Sequence, residues 1–378
     1  MEQSANEIRV THFTFPSMLG TAQSVDEPNV VGSHGVLWMP PAGQPVSAIV
    51  QITHGMSEYI ERYDHFARFL AAHGFAVCGQ DNIGHGKSVA SPDDWGHIPA
   101  RGGKKALIEN VHVLRGIMEK LVTEEGVAAA GGSTSTSAPA TAVAPGAAPD
   151  AAGAAVAPDA AAAAPADADA PTTAPLPYFM FGHSMGSFIL RDYLAHYGAG
   201  LAGAIICGTG HQSAAVATAG LAAAKAVARA KGERHVSDTL FNLADGAYGK
   251  AIKGARTELD WLSTNPLVVD AYLADPACGF RFSAGAYIAL TGLLVDVSKK
   301  SNINRIPKEL PLYLIAGSED PVGGRGRGVT RVLKEYKEAG IKDVDMRLYL
   351  GARHEILNEV DKEKVYADVL KWLEVHLV

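Results

Sequence analysis

The sequence predicts an α/β fold with a mostly parallel central sheet flanked by helices. Short apolar segments, typical of strands buried on both faces, alternate with longer segments in which apolar residues recur at helical spacing. Strands and helices that alternate in this way are typical of parallel βαβ units. The chain has 378 residues, 47% of them hydrophobic, which is enough to build a sizeable core around such a sheet.

The first third of the chain contains four predicted strands and two predicted helices. The helix before the fourth strand is indicated by Tyr63, Phe66, Ala67 and Leu70, which share one helical face. The predicted strands are 8–15, 35–39, 48–53 and 75–79, and the predicted helices are 61–72 and 104–123.

The alternation continues in the second half of the chain. A strand at 178–181 runs into a helix at 187–197, and another buried strand follows at 201–207. After a long interruption the pattern returns near the C-terminus, with predicted strands at 312–316 and 345–350 and predicted helices at 329–339 and 362–376.

Two stretches break this pattern. Residues 128–175 contain no Lys, Arg, Leu, Ile or aromatic residue, and scattered prolines would interrupt any helix there. We therefore expect a disordered insertion at 128–176. Residues 211–301 are mostly helical in pattern and rich in apolar side chains, among them Trp261, Phe280, Phe282 and Leu290. We expect them to form a helical lid inserted after the strand at 201–207, over a core made of 1–127, 177–210 and 302–378.

Charge and cysteine content limit the kinds of partner and compartment. The net charge of −7 argues against nucleic acid as a partner. The three cysteines are far apart, which suits a reducing compartment and gives no metal-binding spacing. The N-terminus is polar, and no run of 18 apolar residues occurs. We expect a cytoplasmic protein without an integral membrane segment, for which transient contact with a membrane surface stays open.

The G-x-S-x-G pattern at residues 182–186 indicates a nucleophilic serine. It follows a strand and precedes a helix, which is the context of a nucleophile elbow. A serine hydroxyl is a weak nucleophile, so it has to stand exposed on a sharp turn beside a base and backbone N–H donors. Gly182 and Gly186 leave room where the chain doubles back. We therefore predict that Ser184 is the nucleophile.

A base and an acid are predicted after the last two strands. His354 lies just past the strand at 345–350, where open α/β sheets place their ligands. Asp320 follows the strand at 312–316, and Pro321 would stiffen the turn that aims it. Glu319 is the neighbouring alternative. The order serine, acid, histidine is that of one common fold with a catalytic triad.

An oxyanion hole needs two backbone N–H donors. The N–H of Met185 would lie at the N-terminus of the helix after the elbow, where the helix dipole favours negative charge. The loop after the third strand would supply the N–H of Met56, with His54 and Gly55 shaping that loop.

These motifs together resemble the α/β-hydrolase superfamily, and more narrowly its monoacylglycerol lipase and lysophospholipase branch, also called serine aminopeptidase-type hydrolases. The resemblance covers nearly the whole chain except 128–175. The residues that support the resemblance are 54–58 (His-Gly-Met-Ser-Glu), 81–88, 182–186, and Asp320 with His354. It implies an α/β-hydrolase fold and a triad of Ser184, Asp320 and His354, with no metal or organic cofactor.

The resemblance implies hydrolysis of monoacyl lipid esters, and the apolar lid suggests an acyl chain as ligand. A phosphate head group would need a basic residue near the lid, for which Arg256 and Arg281 are candidates. A serine aminopeptidase-type enzyme would need an acidic pocket for an amine, and an acyltransferase of the same fold or an inactive binding module are further alternatives. The acidic residues of the expected lid that could form such an acidic pocket are Asp238, Asp245, Glu258 and Asp260.

Overall fold

The computed structural model describes residues 7–19, 32–130, 175–244 and 246–377, with only the backbone path for 123–130. Its centre is an eight-stranded sheet in the order β1-β2-β4-β3-β5-β6-β7-β8. The strands are β1 (Arg9–Phe15), β2 (Ser33–Met39), β3 (Ala48–Thr53), β4 (Phe75–Gln80), β5 (Tyr178–His183), β6 (Gly203–Cys207), β7 (Leu312–Gly317) and β8 (Val344–Tyr349).

Parallel pairing dominates the sheet and sets where its loops meet. Only β2 is antiparallel to its neighbours β1 and β4, and every other pair of adjacent strands is parallel. The carboxyl ends of β3, β5, β7 and β8 therefore lie at one edge of the sheet, and the loops that follow them meet there.

Helices cover both faces of the sheet. Helices α1 and α11 pack on one face, and α2, α3, α8 and α10 pack on the other. The helices are α1 (Asp64–Ala72), α2 (Gly103–Ala130), α3 (Met185–Tyr197), α4 (Ala214–Lys231), α5 (Asp238–Ala244), α6 (Gly246–Lys250), α7 (Pro266–Ala274), α8 (Ala284–Val297), α9 (Lys300–Ile303), α10 (Arg327–Glu338) and α11 (Lys362–Val375).

The predicted strands and helices are all present, with shifts at their ends. The largest shift is in α2, which was predicted to end at 123 and continues to Ala130, because the alanine-rich sequence there favours a helix. The insertion expected at 128–176 therefore begins inside a helix, and its residues 131–174 lie outside the described residues. In the part of the chain that the structure describes, no helix is long and apolar enough to cross a membrane.

Residues 208–311 join β6 to β7, and we call them the insert. Its described residues are largely helical, and α8 is largely buried and belongs to the core. We call residues 214–250 (α4, α5 and α6) the outer part of the insert, and residues 257–283 its inner part. Whether any of it acts as a lid stays a prediction.

Candidate active site

Ser184 lies at the sharp turn between β5 and α3. Its φ of 54° is in the left-handed region that favours glycine. The turn is packed so closely that a Cβ on Gly186 would lie 2.1 Å from the carbonyl oxygen of Thr53, and one on Gly182 would lie 2.5 Å from that of Gly186. The two glycines are therefore required by space, and the strained serine is held where a nucleophile elbow would hold it.

His354 and Asp320 lie next to each other at the ends of β8 and β7. The Nδ1 atom of His354 is 3.0 Å from Oδ2 of Asp320, and both side chains are almost fully buried. The second carboxylate oxygen of Asp320 accepts the N–H of Val322 at 2.9 Å. The carboxylate therefore orients the imidazole with Nδ1 protonated and Nε2 free to accept a proton. Glu319 points away, because its carboxylate pairs with Arg325 at 3.4 Å.

The ring of His54, which is bonded at both of its nitrogen atoms, orients the Gly55–Met56 peptide. His54 donates from Nδ1 to the carbonyl oxygen of Gly55 at 2.8 Å and accepts the N–H of Asn82 at its Nε2. Burial lowers the pKa of His54, which keeps this ring neutral. Because the C=O and N–H of one trans peptide point in opposite directions, the N–H of Met56 faces away from His54.

Met56 and Met185 carry the two N–H groups predicted for the oxyanion hole. Neither N–H donates a hydrogen bond to any group in the described part of the chain. A Cβ on Gly55 would lie 3.0 Å from Cβ of Ser184, so the loop with Met56 is directly beside the elbow. Unused N–H groups beside a serine are what an oxyanion hole requires.

A cavity of about 750 Å³ joins these groups. Ser184, His354, Met56 and Met185 all line it, whereas Asp320 lies behind His354 and does not. The remaining wall comes mainly from the insert and is largely apolar, with Phe188, Leu240, Phe280, Tyr287, Leu290 and Leu294 among its residues. The size and lining are those of a site for a mostly apolar small molecule.

A buried charged cluster lies under the site and was not predicted. Arg62 binds both carboxylate oxygens of Glu355 at 2.8 Å and one oxygen of Glu58 at 2.6 Å. Glu58 also accepts the N–H of Gly55 at 2.6 Å. Nε2 of His183 is 3.3 Å from the carbonyl oxygen of His354. The cluster thus connects the loop with Met56 to the loop with His354.

The pKa values in this cluster are shifted by mutual pairing. Burial by itself would raise the pKa of Glu58, but the hydrogen bond with His183 and the charge of Arg62 lower it. Burial likewise opposes ionisation of Glu355, and Arg62 lowers its pKa. The pKa of His183 is raised, because the bond to Glu58 outweighs the desolvation that lowers it. The cluster is therefore built from charged groups that stabilise one another.

The sequence contained signals for this cluster that single motifs do not reveal. Glu58 and Arg62 are four residues apart, the spacing of an ion pair across one helical turn. Glu355 directly follows His354, and His183 directly precedes Ser184. Glu355 and His183 are each adjacent in sequence to a candidate site residue and Glu58 is two residues from Met56, but only the fold brings the three segments together around Arg62.

The chain matches a known protein family over most of its length. The profile of the family described as serine aminopeptidase, S33, matches residues 44–126 and 154–361. The gap between the two matched ranges falls in the low-complexity stretch, so the match covers strands β3 to β8, the insert and every candidate site residue.

Individual relatives extend this similarity. A monoacylglycerol lipase from Mycolicibacterium smegmatis is 27% identical over 333 residues, which is 87% of this chain and 89% of that protein. The solved structure of a highly thermostable carboxyl esterase from Bacillus coagulans, in complex with glycerol, is similar with a TM-score of 0.76 and 26% identity, over 98% of this chain and 99% of that one. A soluble variant of monoglyceride lipase from Saccharomyces cerevisiae has a TM-score of 0.64 at 16% identity, over 96% of both chains.

Proposed function

The chain belongs to the serine aminopeptidase S33 family of α/β-hydrolases, and from that premise we propose that it hydrolyses monoacylglycerols through an acyl-enzyme on Ser184. The α/β-hydrolase fold predicted from the sequence is confirmed. The likeness to a monoacylglycerol lipase and to a carboxyl esterase supports a carboxylic-ester hydrolase.

The observation that carries the proposal is the set of groups around one cavity. Ser184 on its strained turn, His354 backed by Asp320 at 3.0 Å, and the N–H groups of Met56 and Met185 are the parts that acyl transfer to a serine needs. The segments that carry them follow strands β3, β5, β7 and β8, whose carboxyl ends lie at one edge of the sheet.

In the proposed reaction Ser184 Oγ attacks the ester carbonyl carbon while Nε2 of His354 takes the serine proton. The N–H groups of Met56 and Met185 stabilise the oxyanion, a contribution of about 3 kcal/mol for one such donor. The C–O bond to glycerol then breaks, and His354 protonates the leaving alcohol. Water activated by His354 attacks the acyl-enzyme in the same way and releases the fatty acid.

The charges at the cavity favour an uncharged head group. Arg256 lines the cavity but is paired with Asp270 at 2.9 Å. Arg281 is paired with Asp238. Lys250 also lines the cavity and is exposed, and the lining includes the acidic residues Glu58, Glu258 and Glu355 as well. Because the two arginines considered for phosphate recognition are already neutralised, we favour monoacylglycerol over lysophospholipid.

The acidic residues that an aminopeptidase would use are mostly engaged elsewhere. Asp238 pairs with Arg281, and Asp260 accepts hydrogen bonds from Thr257 and the N–H of Arg256. Asp245 lies outside the described residues. Glu258 lines the cavity and is exposed. One exposed carboxylate is weak support for binding an amine, and no arrangement here specifically favours transfer to an alcohol over water.

The test compares substrates and variants in one series. Wild type and Ser184→Ala would be assayed on p-nitrophenyl esters from acetate to palmitate, a monoacylglycerol, a lysophospholipid and an aminoacyl p-nitroanilide. We expect turnover of medium or long esters and of monoacylglycerol above that of lysophospholipid, lost in Ser184→Ala. A preference for the anilide would support a peptidase, and equal rates in both proteins would remove Ser184 from the mechanism.

A matched pair of variants separates the acid from its neighbour. Asp320→Asn should lower kcat by about 10⁴-fold, because the amide no longer fixes the imidazole tautomer, while Glu319→Gln should leave kcat nearly unchanged. Mass spectrometry after fluorophosphonate treatment should place the label on Ser184 in wild type. A label elsewhere, or a large loss in Glu319→Gln, would contradict the assignment.

A further inference from the structure

The loop that carries Met56 is held from the side by the inner part of the insert. The carbonyl oxygen of Ser57, the next residue, accepts the N–H of Gly279 at 3.0 Å and the hydroxyl of Tyr272 at 2.7 Å. The Oγ of Ser57 donates to the carbonyl oxygen of Phe280 at 2.6 Å. Ser57 therefore makes three hydrogen bonds, two accepted and one donated, with a segment more than 200 residues away in sequence.

Ser57 needs this support because its backbone is strained. Its φ of 56° lies in the left-handed region, which costs a serine on the order of 1 kcal/mol or more. Such a conformation persists only where the surroundings impose it. The local sequence around Ser57 provides no glycine at that position, so the restraint comes from the bonds to Tyr272, Gly279 and Phe280.

We propose that the inner part of the insert sets the geometry of the oxyanion hole, and that Tyr272 is a positioning residue for the N–H of Met56. This inference rests on the proposed function, since it concerns the donor that the reaction uses. His54 fixes the Gly55–Met56 peptide, Glu58 holds the N–H of Gly55 one peptide earlier, and the insert fixes Ser57 after Met56. Without the second restraint, Ser57 can relax and the N–H of Met56 can turn away from Ser184.

The side chain of Tyr272 is suited to this task. It is buried, and burial raises the pKa of its hydroxyl, which therefore stays protonated and donates. The guanidinium of Arg62 lies 4.8 Å from the centre of its ring and holds the ring in place. Tyr272 also lines the cavity, as does Phe280, so the residues that restrain Ser57 are beside the substrate.

The first experiment removes one hydroxyl. Tyr272→Phe keeps the ring under Arg62 and deletes the bond to Ser57. We expect kcat on p-nitrophenyl butyrate to fall about tenfold with little change in KM, because a displaced donor acts only on the transition state. A trifluoromethyl ketone, which forms an oxyanion on the serine, should bind about tenfold more weakly, while a long-chain alcohol should bind as in wild type.

Tyr178→Phe is the matched control. Tyr178 is equally buried, and its hydroxyl donates to Gln51 at 2.6 Å at the far end of β5 from Ser184. A loss of stability alone would lower Tm in either variant but leave kcat per active site unchanged. The active sites are counted by end-point titration with a fluorophosphonate. An unchanged kcat in Tyr272→Phe, or equal losses in both variants, would overturn the positioning role.

Two substitutions at Ser57 test the backbone argument directly. Ser57→Gly and Ser57→Ala both delete the bond to Phe280, but only glycine adopts the left-handed conformation without strain. We expect Ser57→Gly to retain more kcat than Ser57→Ala. The reverse order would contradict the proposal. If wild-type hydrolysis does not depend on Ser184, the proposed function fails first, whereas normal dependence with an unaffected Tyr272→Phe rejects only this inference.

Discussion

The outer and inner parts of the insert are attached to the rest of the molecule in different ways. In the outer part, α4 buries only Ala217 and Ala224, α5 buries only Leu240, and α6 buries no residue. Leu243 and Val216 stay 71% and 58% exposed although both line the cavity. The outer part therefore covers the cavity through α4, whose small side chains pack on core helix α8, while α5 and α6 bury little.

The inner part is bonded to two loops of the candidate site, those of Met56 and His354. Ser57 makes its three hydrogen bonds with this part, and the N–H of Glu355 donates to the carbonyl oxygen of Leu262 at 2.7 Å. The ring of Trp261 packs against that of His354 with centroids 5.0 Å apart. Adjacent segments of one insertion between two strands thus cover the cavity and support the loops beside it. We expect motion to be confined to the outer part.

Trp261 of the inner part provides the largest contrast, because its ring lies between His354 and Tyr248 of the outer part. It contacts His354 on the inner side and Tyr248 of α6 on the outer side, each at a centroid distance of 5.0 Å. Trp261→Ala should release the base and lower kcat on a short ester by up to about a hundredfold, the loss typical of a misplacement near 1 Å. Tyr248→Ala should change it by less than about threefold. Similar losses in the two variants, measured by steady-state kinetics, would remove the distinction.

Glu359 joins the inner part to the loop of His354. Its buried carboxylate accepts from the N–H of Arg353 at 2.7 Å, the hydroxyl of Ser263 at 3.1 Å and the N–H of Thr264 at 3.0 Å. Glu359→Ala leaves these donors unpaired and should cost about 3 kcal/mol. A Tm lower by about 4 °C would follow in calorimetry.

The control for Glu359 lies in the outer part. Arg234 forms an exposed pair with Asp94 at 2.7 Å, and such surface pairs contribute about 0–1 kcal/mol. Arg234→Ala should therefore shift Tm by no more than about 1–2 °C. A larger shift there than in Glu359→Ala would mean that the outer part is the firmly attached one.

The fold was predictable because the signals that specify it are local. Buried strands such as Ala48–Thr53 are short, mostly apolar runs, and the helix around Leu70 shows its apolar face in the sequence. The elbow was predictable for the same reason, since strand, tight turn and helix are contiguous. Asp320 and His354 followed from their places after strands, because parallel strands bring their carboxyl ends to one edge.

The division of the insert could not be predicted, because it depends on contacts between distant segments. Nothing near Tyr272 in the sequence indicates that its hydroxyl reaches Ser57. The same holds for the burial of Arg62 between Glu58 and Glu355, which two distant loops contribute. Apolar residues of the inner and outer parts look alike in composition, so the lid expected at 211–301 included both parts together with core helix α8.

The exposed apolar residues of the outer part give a smaller effect that depends on the substrate's physical state. Leu243→Ser should lower activity on monoacylglycerol micelles or vesicles several-fold, since an exposed leucine at the cavity can contact a lipid surface, and should leave p-nitrophenyl acetate unaffected. Leu350→Ser is the control, because Leu350 is 96% exposed but does not line the cavity. Equal effects on both substrates would assign Leu243 to the cavity alone.

The smallest predicted effect is a pH dependence of the inner part's support. The folded-state pKa of Glu355 is lowered by Arg62 against the effect of burial, so the ion pair contributes stability above the ordinary carboxyl pKa and loses it as pH falls. Glu355→Gln should therefore be less stable than wild type by a few degrees in Tm near neutral pH, and the gap should narrow below about pH 5. Asp238→Asn, which removes an exposed carboxylate paired with Arg281, should follow wild type through the same range. A gap between wild type and Glu355→Gln that stays constant down to acid pH would mean that the charge of Glu355 does not stabilise the fold.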